Sequence, residues 1–341
     1  MPIEKTSSVT IRDVANRAGV SVATVSRVLN NSGTVTPETF ARVQAVINEL
    51  HYVPRAAAQS LSNRRTNVIG LLLTEIGWDN FFPPMFRGIE RGCFESNFDL
   101  LIHSTHLSKA DPTTRLPVGE QNTDGLLVFL NSLSDAEIVR LHQKGFPLVL
   151  LHRSPPQSLS IPHVVFENKG GSRKIIDHLI EVHACQRIAF LAGPKGNEDS
   201  HWRELGYRES LAAHGLLVDP DLMRLGGFSE EIAQYTVERW LAEGFKADAI
   251  FAADDDSAYG ALRTLQQAGI RVPEDVPVVG FDDAPTSRLI TPSLTTIGAP
   301  IEDSGYQSAR ILGELIRTGQ AVPKVLLPTS LVIRRSCGCQ V

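Results

Sequence analysis

The chain has 341 residues, of which 42% are hydrophobic, and carries a formal net charge of −5 at pH 7. This composition is ordinary for a soluble globular protein, and four scattered cysteines exclude a disulfide framework. No run approaches the roughly 18 apolar residues of a membrane span. The N-terminal MPIEKTSS lacks the basic-then-apolar build of a signal peptide, so we expect a cytoplasmic protein.

The first predicted elements are two short helices joined by a tight turn, in the stretch TIRDVANRAGVSVATVSRVLN that begins at Thr10. Thr10 is a helix N-cap, with Asp13 three residues on in a capping box. Gly19 favours a left-handed C-terminal cap, and Ser21 caps the second helix after a short turn. This spacing predicts a helix-turn-helix that places its second helix in the DNA major groove. The alternative is a helical bundle that docks proteins.

The second helix has a predicted inner and outer face. Val25, Val28 and Leu29 recur at helical intervals and should face inward. The outer face then carries small residues, which allow close approach, and one guanidinium that can read guanine: Val22, Ala23, Thr24, Ser26 and Arg27.

A third helix is predicted from Thr36, with Pro37 at its first position and a core stripe of Phe40, Val43, Ile47 and Leu50.

Residues 1–65 hold eight Lys or Arg and four acidic residues, a net of +4 that leaves −9 for the remainder. The basic end suits DNA phosphates, whereas the acidic remainder suits a sensing or oligomerisation body.

The segment VPRAAAQSL, residues 53–61, begins with a helix-breaking proline and then becomes strongly helix-forming. It is too short to be stable alone. It suits a helix that folds in the DNA minor groove, with Leu61 as an apolar wedge, and a simple linker helix is the alternative.

From Asn67 onward, short apolar runs alternate with helical stretches, which predicts a doubly wound α/β body of two open parallel sheets. The predicted strands are Val68–Leu73, Asp99–His103, Gly125–Phe129, Pro147–Leu151, Val164–Phe166, Arg187–Ala192, Ala249–Ala252 and Val276–Phe281. The predicted helices are Met85–Glu95, Gly171–His183, His201–His214, Glu230–Glu243, Ser257–Ala268 and Ile301–Arg317.

Polar and aromatic residues follow several predicted strands and should converge on one crevice, because ligands of such sheets bind beyond the carboxyl ends of the strands. They are Asp79, Asn80, Phe81, Phe82, His152, Arg153, Arg203, Asp254, Asp255, Asp256, Asp282 and Asp283. Carboxylates and guanidinium groups with aromatic rings are what a sugar requires. In the alternative interpretation, one aspartate of 254–256 is a helix N-cap, the phenylalanines are core, and Arg203 is a surface ion pair.

Signatures of enzymes are missing from the sequence, since it has no G-x-G-x-x-G after the first strand, no phosphate loop, no G-x-S-x-G and no H-E-x-x-H. The body is therefore expected to be a binder without cofactor. Cys337-Gly338-Cys339 is the one close cysteine pair, and reduced thiols are expected there rather than a metal or redox site.

These motifs, together with NVIGLLL, DNFF, FRGIERG, DGLLVF, GYRESL, AIFAADDDSAYGAL, VVGFDD and LTTI, resemble the LacI/GalR family of bacterial transcriptional regulators over nearly the whole chain. The resemblance implies a homodimer or tetramer that binds a pseudo-palindromic operator and has a core similar to periplasmic sugar-binding proteins. It implies a helix-turn-helix domain at 1–52, a hinge at 53–66, and core subdomains at 67–166 plus 297–328 and at 167–296 plus 329–341. The chain would cross between the subdomains near Glu167, Thr296 and Pro328.

The same resemblance implies two sets of site residues. The set for DNA binding is Thr10, Ser21, Val22, Ala23, Thr24, Ser26, Arg27, Asn30, Tyr52, Arg55, Ala58 and Leu61. The set for effector binding is Asp79, Phe81, Phe82, Arg153, Arg203, Asp254 and Asp282.

Four positions depart from the family pattern: His152 stands where Asp is frequent, Ala299 where Gln is frequent, Asp254 where Asn is usual, and Arg55 where the hinge more often has Asn. The DNA module is therefore typical and the pocket is not. A neutral monosaccharide is the expected effector, with a phosphosugar, a purine-like base or a partner protein as alternatives. Outside the regulator class, the alternatives are a transport-type solute-binding protein and a sugar-metabolising enzyme.

Overall fold

The structure is a computed structural model that describes residues 9–29, 33, 35–52, 65–74, 80–105 and 118–340. Residues 53–64 of the predicted hinge and the predicted site residues Asn30, Arg55, Ala58, Leu61 and Asp79 lie outside the described residues. The chain divides into two compact units, Met1–Thr66 and Asn67–Val341, each with its own hydrophobic core.

The N-terminal unit contains the helices α1 (Ile11–Ala18), α2 (Val22–Leu29) and α3 (Pro37–Glu49). Its core is made of small and branched side chains: Val14, Ala15, Ala18, Val25, Val28, Val43, Val46 and Tyr52. The predicted stripe of α3 is wrong at one position. Phe40 is exposed, and Val46 takes the inward place because it lies one turn from Val43 on the face that meets the other helices.

The second unit alternates strands with helices, as predicted. The strands are β1 (Val68–Leu73), β2 (Asp99–Ser104), β3 (Gly125–Phe129), β4 (Leu148–Leu151), β5 (His163–Phe166), β6 (Ile188–Ala192), β7 (Met223–Leu225), β8 (Ala249–Ala252), β9 (Val278–Asp282), β10 (Thr295–Gly298), β11 (Lys324–Leu327) and β12 (Ser330–Val332). The helices are α4 (Phe82–Glu95), α5 (Asp135–Gln143), α6 (Asn168–His183), α7 (Glu198–Ala213), α8 (Glu230–Ala242), α9 (Asp255–Gln267) and α10 (Ile301–Thr318).

The strands form two six-stranded sheets in the described residues. The first has the order β11-β5-β4-β3-β1-β2 and is parallel throughout. The second has the order β12-β10-β9-β8-β6-β7 and is parallel except for the antiparallel pairing of β12 with β10. The near-continuous apolar runs of β1, β3, β4 and β6, from which buried parallel strands were predicted, are buried at nearly every position.

The chain passes from one sheet to the other at three places. The passages follow Phe166 and Gly298 and lie between Leu327 and Ser330. The second passage begins after Gly298, because Thr295–Gly298 pairs with Val279–Asp282 inside the second sheet. Three neighbouring connections leave the carboxyl ends of both sheets facing one cleft.

Helix α5 and the short strands β7, β10, β11 and β12 were not predicted from the sequence. Each of these strands has three or four residues, and all but β10 have partly exposed burial patterns, so none carries a long apolar run.

Among the described residues, no helix has both the length and the apolar character that crossing a bilayer requires.

Candidate functional site

The turn between α1 and α2 has the geometry of the predicted helix-turn-helix. The Thr10 amide donates a 2.8 Å hydrogen bond to the Asp13 carboxylate, the reach-back contact of a capping box. Gly19 ends α1 with a φ of +66°, a conformation that favours glycine. The Thr24 amide donates to the Ser21 hydroxyl at 3.1 Å, which caps α2. Because α1 ends at Ala18 and α2 begins at Val22, the turn between the two helices is only a few residues long.

The structure divides α2 into the two predicted faces. Val25 and Val28 are buried against α1 and α3, and Leu29 packs at the edge of the same core. The remaining side chains of the helix are exposed or half-buried: Val22, Ala23, Thr24, Ser26 and Arg27. One surface of α2 thus carries the predicted base-reading and phosphate-supporting residues together. Tyr52 does not join them on that surface, because it is 7% exposed and packs in the bundle core.

The second unit has a cleft where loops and helices leave the carboxyl ends of the two sheets. Its cavity has a volume of about 360 Å³, within the range of about 300–1,000 Å³ typical of small-molecule sites. Phenylalanine rings come from both sides of the cleft, and carboxylates come mainly from the second sheet. Among the lining residues are Phe81, Phe82, Phe129, Phe228, Asp199, Arg203, Asp254, Asp255, Asp256, Asp282, Asn197 and Lys195.

Arg203, on the second turn of α7, is the hub of this cleft. It is 2% exposed, and its guanidinium donates to the Asp282 carboxylate at 3.0 Å, to the Asn168 amide oxygen at 2.9 Å and to the Ala253 carbonyl at 2.6 Å. It also lies 3.8 Å from the ring centroid of Phe281. A buried guanidinium needs this number of acceptors, so the alternative of a surface ion pair is excluded.

Two buried aspartates of the predicted site have raised pKa values. Burial raises the pKa of Asp282 to about 8, although the nearby Arg203 opposes the shift. Burial likewise raises the pKa of Asp254 to about 7, against the hydrogen bonds from Ser257. Both carboxyl groups therefore exchange protons near neutral pH, which is unusual for aspartate.

Asp254 also begins α9, because its carboxylate accepts the backbone amides of Asp256 and Ser257, both at 3.2 Å. The expectation that one aspartate of 254–256 caps the helix is met at this residue. Asp255 has an internal role: it accepts from the Thr296 hydroxyl at 2.6 Å and from the Ala284 amide at 2.8 Å. Burial raises its pKa well above the usual value.

His152 is fully buried behind the cleft among the rings of Phe81, Phe129 and Phe166, at centroid distances of 5.4, 5.4 and 4.6 Å. Its Nδ1 lies 3.3 Å from the Asp199 carboxylate, without the alignment of a good hydrogen bond. Burial would raise the pKa of Asp199, but His152, Arg203 and Asn168 hold it below the usual value. His152 thus joins the first sheet to the polar network of the second.

Backbone strain also concentrates at the cleft. His152 has a φ of +58° and Asp282 a φ of +117°, both in the region that L-residues rarely adopt. Such conformations cost about 1–3 kcal/mol each and cluster at functional sites. His152 follows β4, and Asp282 ends β9. The strained backbone thus directs a side chain at the carboxyl end of a strand in each sheet.

Arg153 is placed differently from the other predicted effector residues. Its guanidinium donates to Asp135 at 2.6 Å and to the carbonyls of Leu130 and Leu133 at 3.1 and 3.3 Å. It is not among the residues that line the cavity. The structure brings together Phe81, Phe82, Arg203, Asp254 and Asp282, and it leaves Arg153 fastening the start of α5.

Sequence reasoning missed Asn168 and Asp199, which connect His152 to Arg203. Asn168 donates to Asp199 at 2.7 Å and accepts from Arg203. Both residues begin helices that follow strands, so the rule that found Asp254 would also have found them. The signal was weak, because Asn and Asp are frequent at the starts of helices for capping alone.

Polar contacts cross the cleft from the first sheet to the second. The Asn80 amide donates to Asp256 at 2.6 Å, and the Asn131 amide donates to the Gly196 carbonyl at 3.2 Å. Ser154 donates through its amide and hydroxyl to Glu198, at 2.7 and 2.6 Å. These contacts link the first sheet's side of the cleft to the second sheet's side.

Comparison with known families gives a match for each unit. Residues 10–55 match the model of bacterial regulatory proteins, lacI family, and residues 176–337 match that of a periplasmic binding protein-like domain. The chain is 34% identical to the ribose operon repressor of Halalkalibacterium halodurans over 329 residues, which cover 96% of each chain.

Two solved structures are similar over most of the chain. One is the complex of the transcriptional regulator CelR with cellobiose, at 32% identity and a TM-score of 0.69, covering 96% of this chain and 99% of the other. The other is the lac repressor dimer bound to operator and the anti-inducer ONPF, at 29% identity and a TM-score of 0.80, covering 97% and 99%.

Proposed function

Because the chain belongs to the lacI family of bacterial regulatory proteins and is a DNA-binding transcriptional regulator, we propose that a neutral sugar in its cleft controls its affinity for an operator. In this proposal the protein is a cytoplasmic repressor that binds a pseudo-palindromic operator as a homodimer. The observation that carries the proposal is the buried Arg203–Asp282 pair beside Asp254, opposite a wall of phenylalanine rings.

The chemistry of the cleft favours a neutral polyol. Hydroxyl groups can donate to Asp254 and Asp282 and accept from Arg203, while the apolar face of a sugar ring packs on Phe81 and Phe82. The cavity has more carboxylates than cations on its lining. Asp199 also lines the cavity and its lowered pKa keeps it ionised, so a phosphate group would meet a like charge there and a phosphosugar becomes the weaker candidate.

Arg153 is assigned to a different role in this proposal. It was predicted as an effector residue, but its guanidinium pairs with Asp135 outside the cavity. Arg203 and Lys195 are the cations that line the cavity among the described residues, and Arg203 is already paired with Asp282.

DNA contact is assigned to the exposed face of α2, with Val22, Ala23 and Arg27 at base edges and Thr24 and Ser26 at phosphates. The proposed core subdomains are built on the first sheet and on the second sheet, and they meet at the cleft. A sugar that binds the closed cleft more tightly than the open one shifts the population of the two forms. That shift would be transmitted through residues 53–66 to the DNA-binding units.

A thermal-shift screen of the full chain tests the effector class. Neutral mono- and disaccharides, their phosphates and purine bases are compared at matched concentrations, since a ligand at about 100 times its dissociation constant adds about 2.7 kcal/mol of stability. We expect stabilisation by a neutral sugar and its loss in Asp282→Asn, which removes a carboxylate that faces the ligand. Stabilisation by a sugar phosphate or a purine alone would replace the proposed effector class and leave the regulator assignment intact.

A further inference from the structure

Four potential metal ligands meet in the second sheet's half of the body, at the end remote from the cleft. His178 and His183 lie on the last turns of α6, and Cys337 and Cys339 lie near the C-terminal end of the chain. One ligand atom from each of these side chains lies within 4.8 Å of all the others. Because α6 ends before β6 begins, this cluster is at the amino ends of the strands and not at the effector cleft.

The three distances among His178, His183 and Cys339 are those of a tetrahedral zinc site, and the Cys337 ligand atom lies within 4.8 Å of each of them. With Zn–N near 2.0–2.1 Å and Zn–S near 2.3 Å, tetrahedral ligands stand about 3.3 Å apart for two nitrogens and about 3.5–3.6 Å apart for nitrogen and sulfur. The two histidine Nε2 atoms are 3.3 Å apart. Cys339 Sγ lies 3.5 Å from His183 Nε2 and 3.7 Å from His178 Nε2.

The local backbone explains how the four side chains converge. Gly338, between the two cysteines, has a φ of +103°, a conformation that favours glycine. A β-carbon at Gly338 would also lie 3.4 Å from His183 Cε1, so the turn packs directly on the imidazole. The histidine spacing of H-x₄-H is common in zinc sites, whereas C-x-C is one residue shorter than the usual cysteine spacing.

We propose that His178, His183, Cys337 and Cys339 bind one Zn²⁺ that fastens the C-terminal segment to α6. Two thiolates and two imidazoles in tetrahedral positions are the ligand set that selects zinc. Four protein ligands leave no open position, so the ion is structural and does not activate water. Cys337 and His178 are buried, while Cys339 and His183 are partly exposed and give the ion a path from solvent.

The zinc ion cross-links α6 to residues that lie more than 150 positions later in the chain. The segment that it holds includes β12, which pairs with β10 at the edge of the second sheet. Cys337 itself packs in the core beside Ile175 and Leu179 of α6. Because zinc binds the folded site and stabilises it, its removal should loosen the attachment of the C-terminal segment.

The test is the zinc content of the tag-free full-length chain, measured by inductively coupled plasma mass spectrometry after reconstitution with Zn²⁺ and gel filtration. We expect about one zinc ion per chain for the wild type. The double variant Cys337→Ser/Cys339→Ser should lose it. Cys185→Ala is the matched control, because Cys185 is a buried cysteine of the same core that lies outside the cluster, and it should keep the ion.

A second variant keeps the test decisive if the double variant fails to fold. His183 is partly exposed, so His183→Gln should retain the native circular dichroism while losing zinc. The Co²⁺-substituted wild type should show the intense visible bands and the thiolate charge transfer of a tetrahedral site, and His183→Gln should weaken them. A wild type that binds no zinc, a disulfide between Cys337 and Cys339 in the native protein, or unchanged zinc in the variants would overturn the proposal.

Discussion

Arg203 makes three buried hydrogen bonds at the cleft. Its guanidinium pairs with Asp282, and Asn168 and Ala253 each accept from one further donor. Removal of one member of a buried pair costs about 3–5 kcal/mol, because the remaining charge is left without a partner. Substitution at this residue must therefore keep the positive charge if it is to report on ligand binding.

We predict that Arg203→Lys weakens effector binding at least tenfold, which is about 1.4 kcal/mol. An ammonium group keeps the charge near Asp282 but cannot reproduce the planar fork of donors. Isothermal titration of the effector found in the screen measures the change. Arg208→Lys is the matched control, because Arg208 lies on the same helix and pairs with Glu204 at the surface. Equal losses in the two variants would remove Arg203 from the binding site.

Asp254 and Asp282 make stability depend on pH. Their pKa values, about 7 and about 8, lie above the unfolded value of about 3.9, so between these limits the folded state binds more protons than the unfolded state. The free energy of unfolding should then fall as pH rises from about 5 to about 8.

The variant Asp254→Asn should make this decline shallower. Asparagine caps a helix about as well as aspartate, so α9 keeps its start while one titrating group is lost. Urea unfolding across the same pH range measures the slope. Asp221→Asn, an exposed aspartate of the same unit, is the control and should keep the wild-type slope. A slope unchanged by Asp254→Asn would contradict the raised pKa.

Helices α4 and α10 approach each other closely at two glycines, where no side chain separates their backbones. A β-carbon at Gly88 would overlap the Glu302 carbonyl oxygen, and one at Gly305 would overlap the Met85 carbonyl oxygen. Helix backbones cannot give way as a flexible side chain does. This close approach fixes the position of α4, whose first residue is Phe82 of the cleft wall.

We predict that Gly88→Ala destabilises the protein by about 1–3 kcal/mol, the usual cost of overpacking. The measurement is the midpoint of urea unfolding at constant m-value. Gly119→Ala serves as the control, because a β-carbon there meets no atom within 4 Å and its backbone is not left-handed. If Gly88→Ala were as stable as the control, the two helices would not be packed as described.

Helix α2 is the element assigned to base reading. Arg27→Ala should weaken operator binding by about 1–3 kcal/mol if its guanidinium reads guanine. Arg17→Ala is the control, since Arg17 lies on α1 and pairs with Glu49 of α3 at 2.6 Å. Fluorescence anisotropy with a labelled operator at fixed salt measures both. The same affinity for Arg27→Ala and Arg17→Ala would move the reading surface off α2.

The elements that could be predicted from sequence are those with a local signal of their own. The caps at Thr10, Gly19 and Ser21 delimit the helix-turn-helix, and the long apolar runs identify the central strands. Edge strands such as β7 and β12 were missed, because their pairing depends on partners far along the chain. Helix α5 was missed although Ser134 caps it.

The site could be predicted from the sequence only by the rule that ligand-binding residues follow the carboxyl ends of parallel strands. That rule placed Asp254 and Asp282, but it also included Arg153, whose direction is set by Asp135 on a helix that was not predicted. The convergence of His178 and His183 with Cys337 and Cys339 could not be read either. It requires the C-terminal segment to return to α6, a contact across more than 150 residues.

At the scale of the whole molecule, the charge is divided between the two parts of the chain. Residues 1–65 have a net charge of +4 and the remainder −9, so attraction to DNA phosphates is concentrated in the N-terminal unit. The cleft lies between two sheets joined by three neighbouring connections, an arrangement that permits hinge closure. Contacts such as Asn80–Asp256 hold the cleft in the closed form seen in this structure. A ligand can change the affinity of the N-terminal unit for DNA only if it binds the closed and open forms of the cleft with different affinities.

The cleft ligand is expected to set the affinity of the protein for its operator. This expectation is tested by anisotropy titration of an operator, selected from random duplexes by this protein, with and without a saturating effector. We predict that the effector changes the dissociation constant about 5–150-fold in the wild type, a coupling of about 1–3 kcal/mol, and that Arg203→Lys needs at least tenfold more effector for half of its response. An effector that binds the wild-type cleft but leaves its operator affinity unchanged would contradict the account.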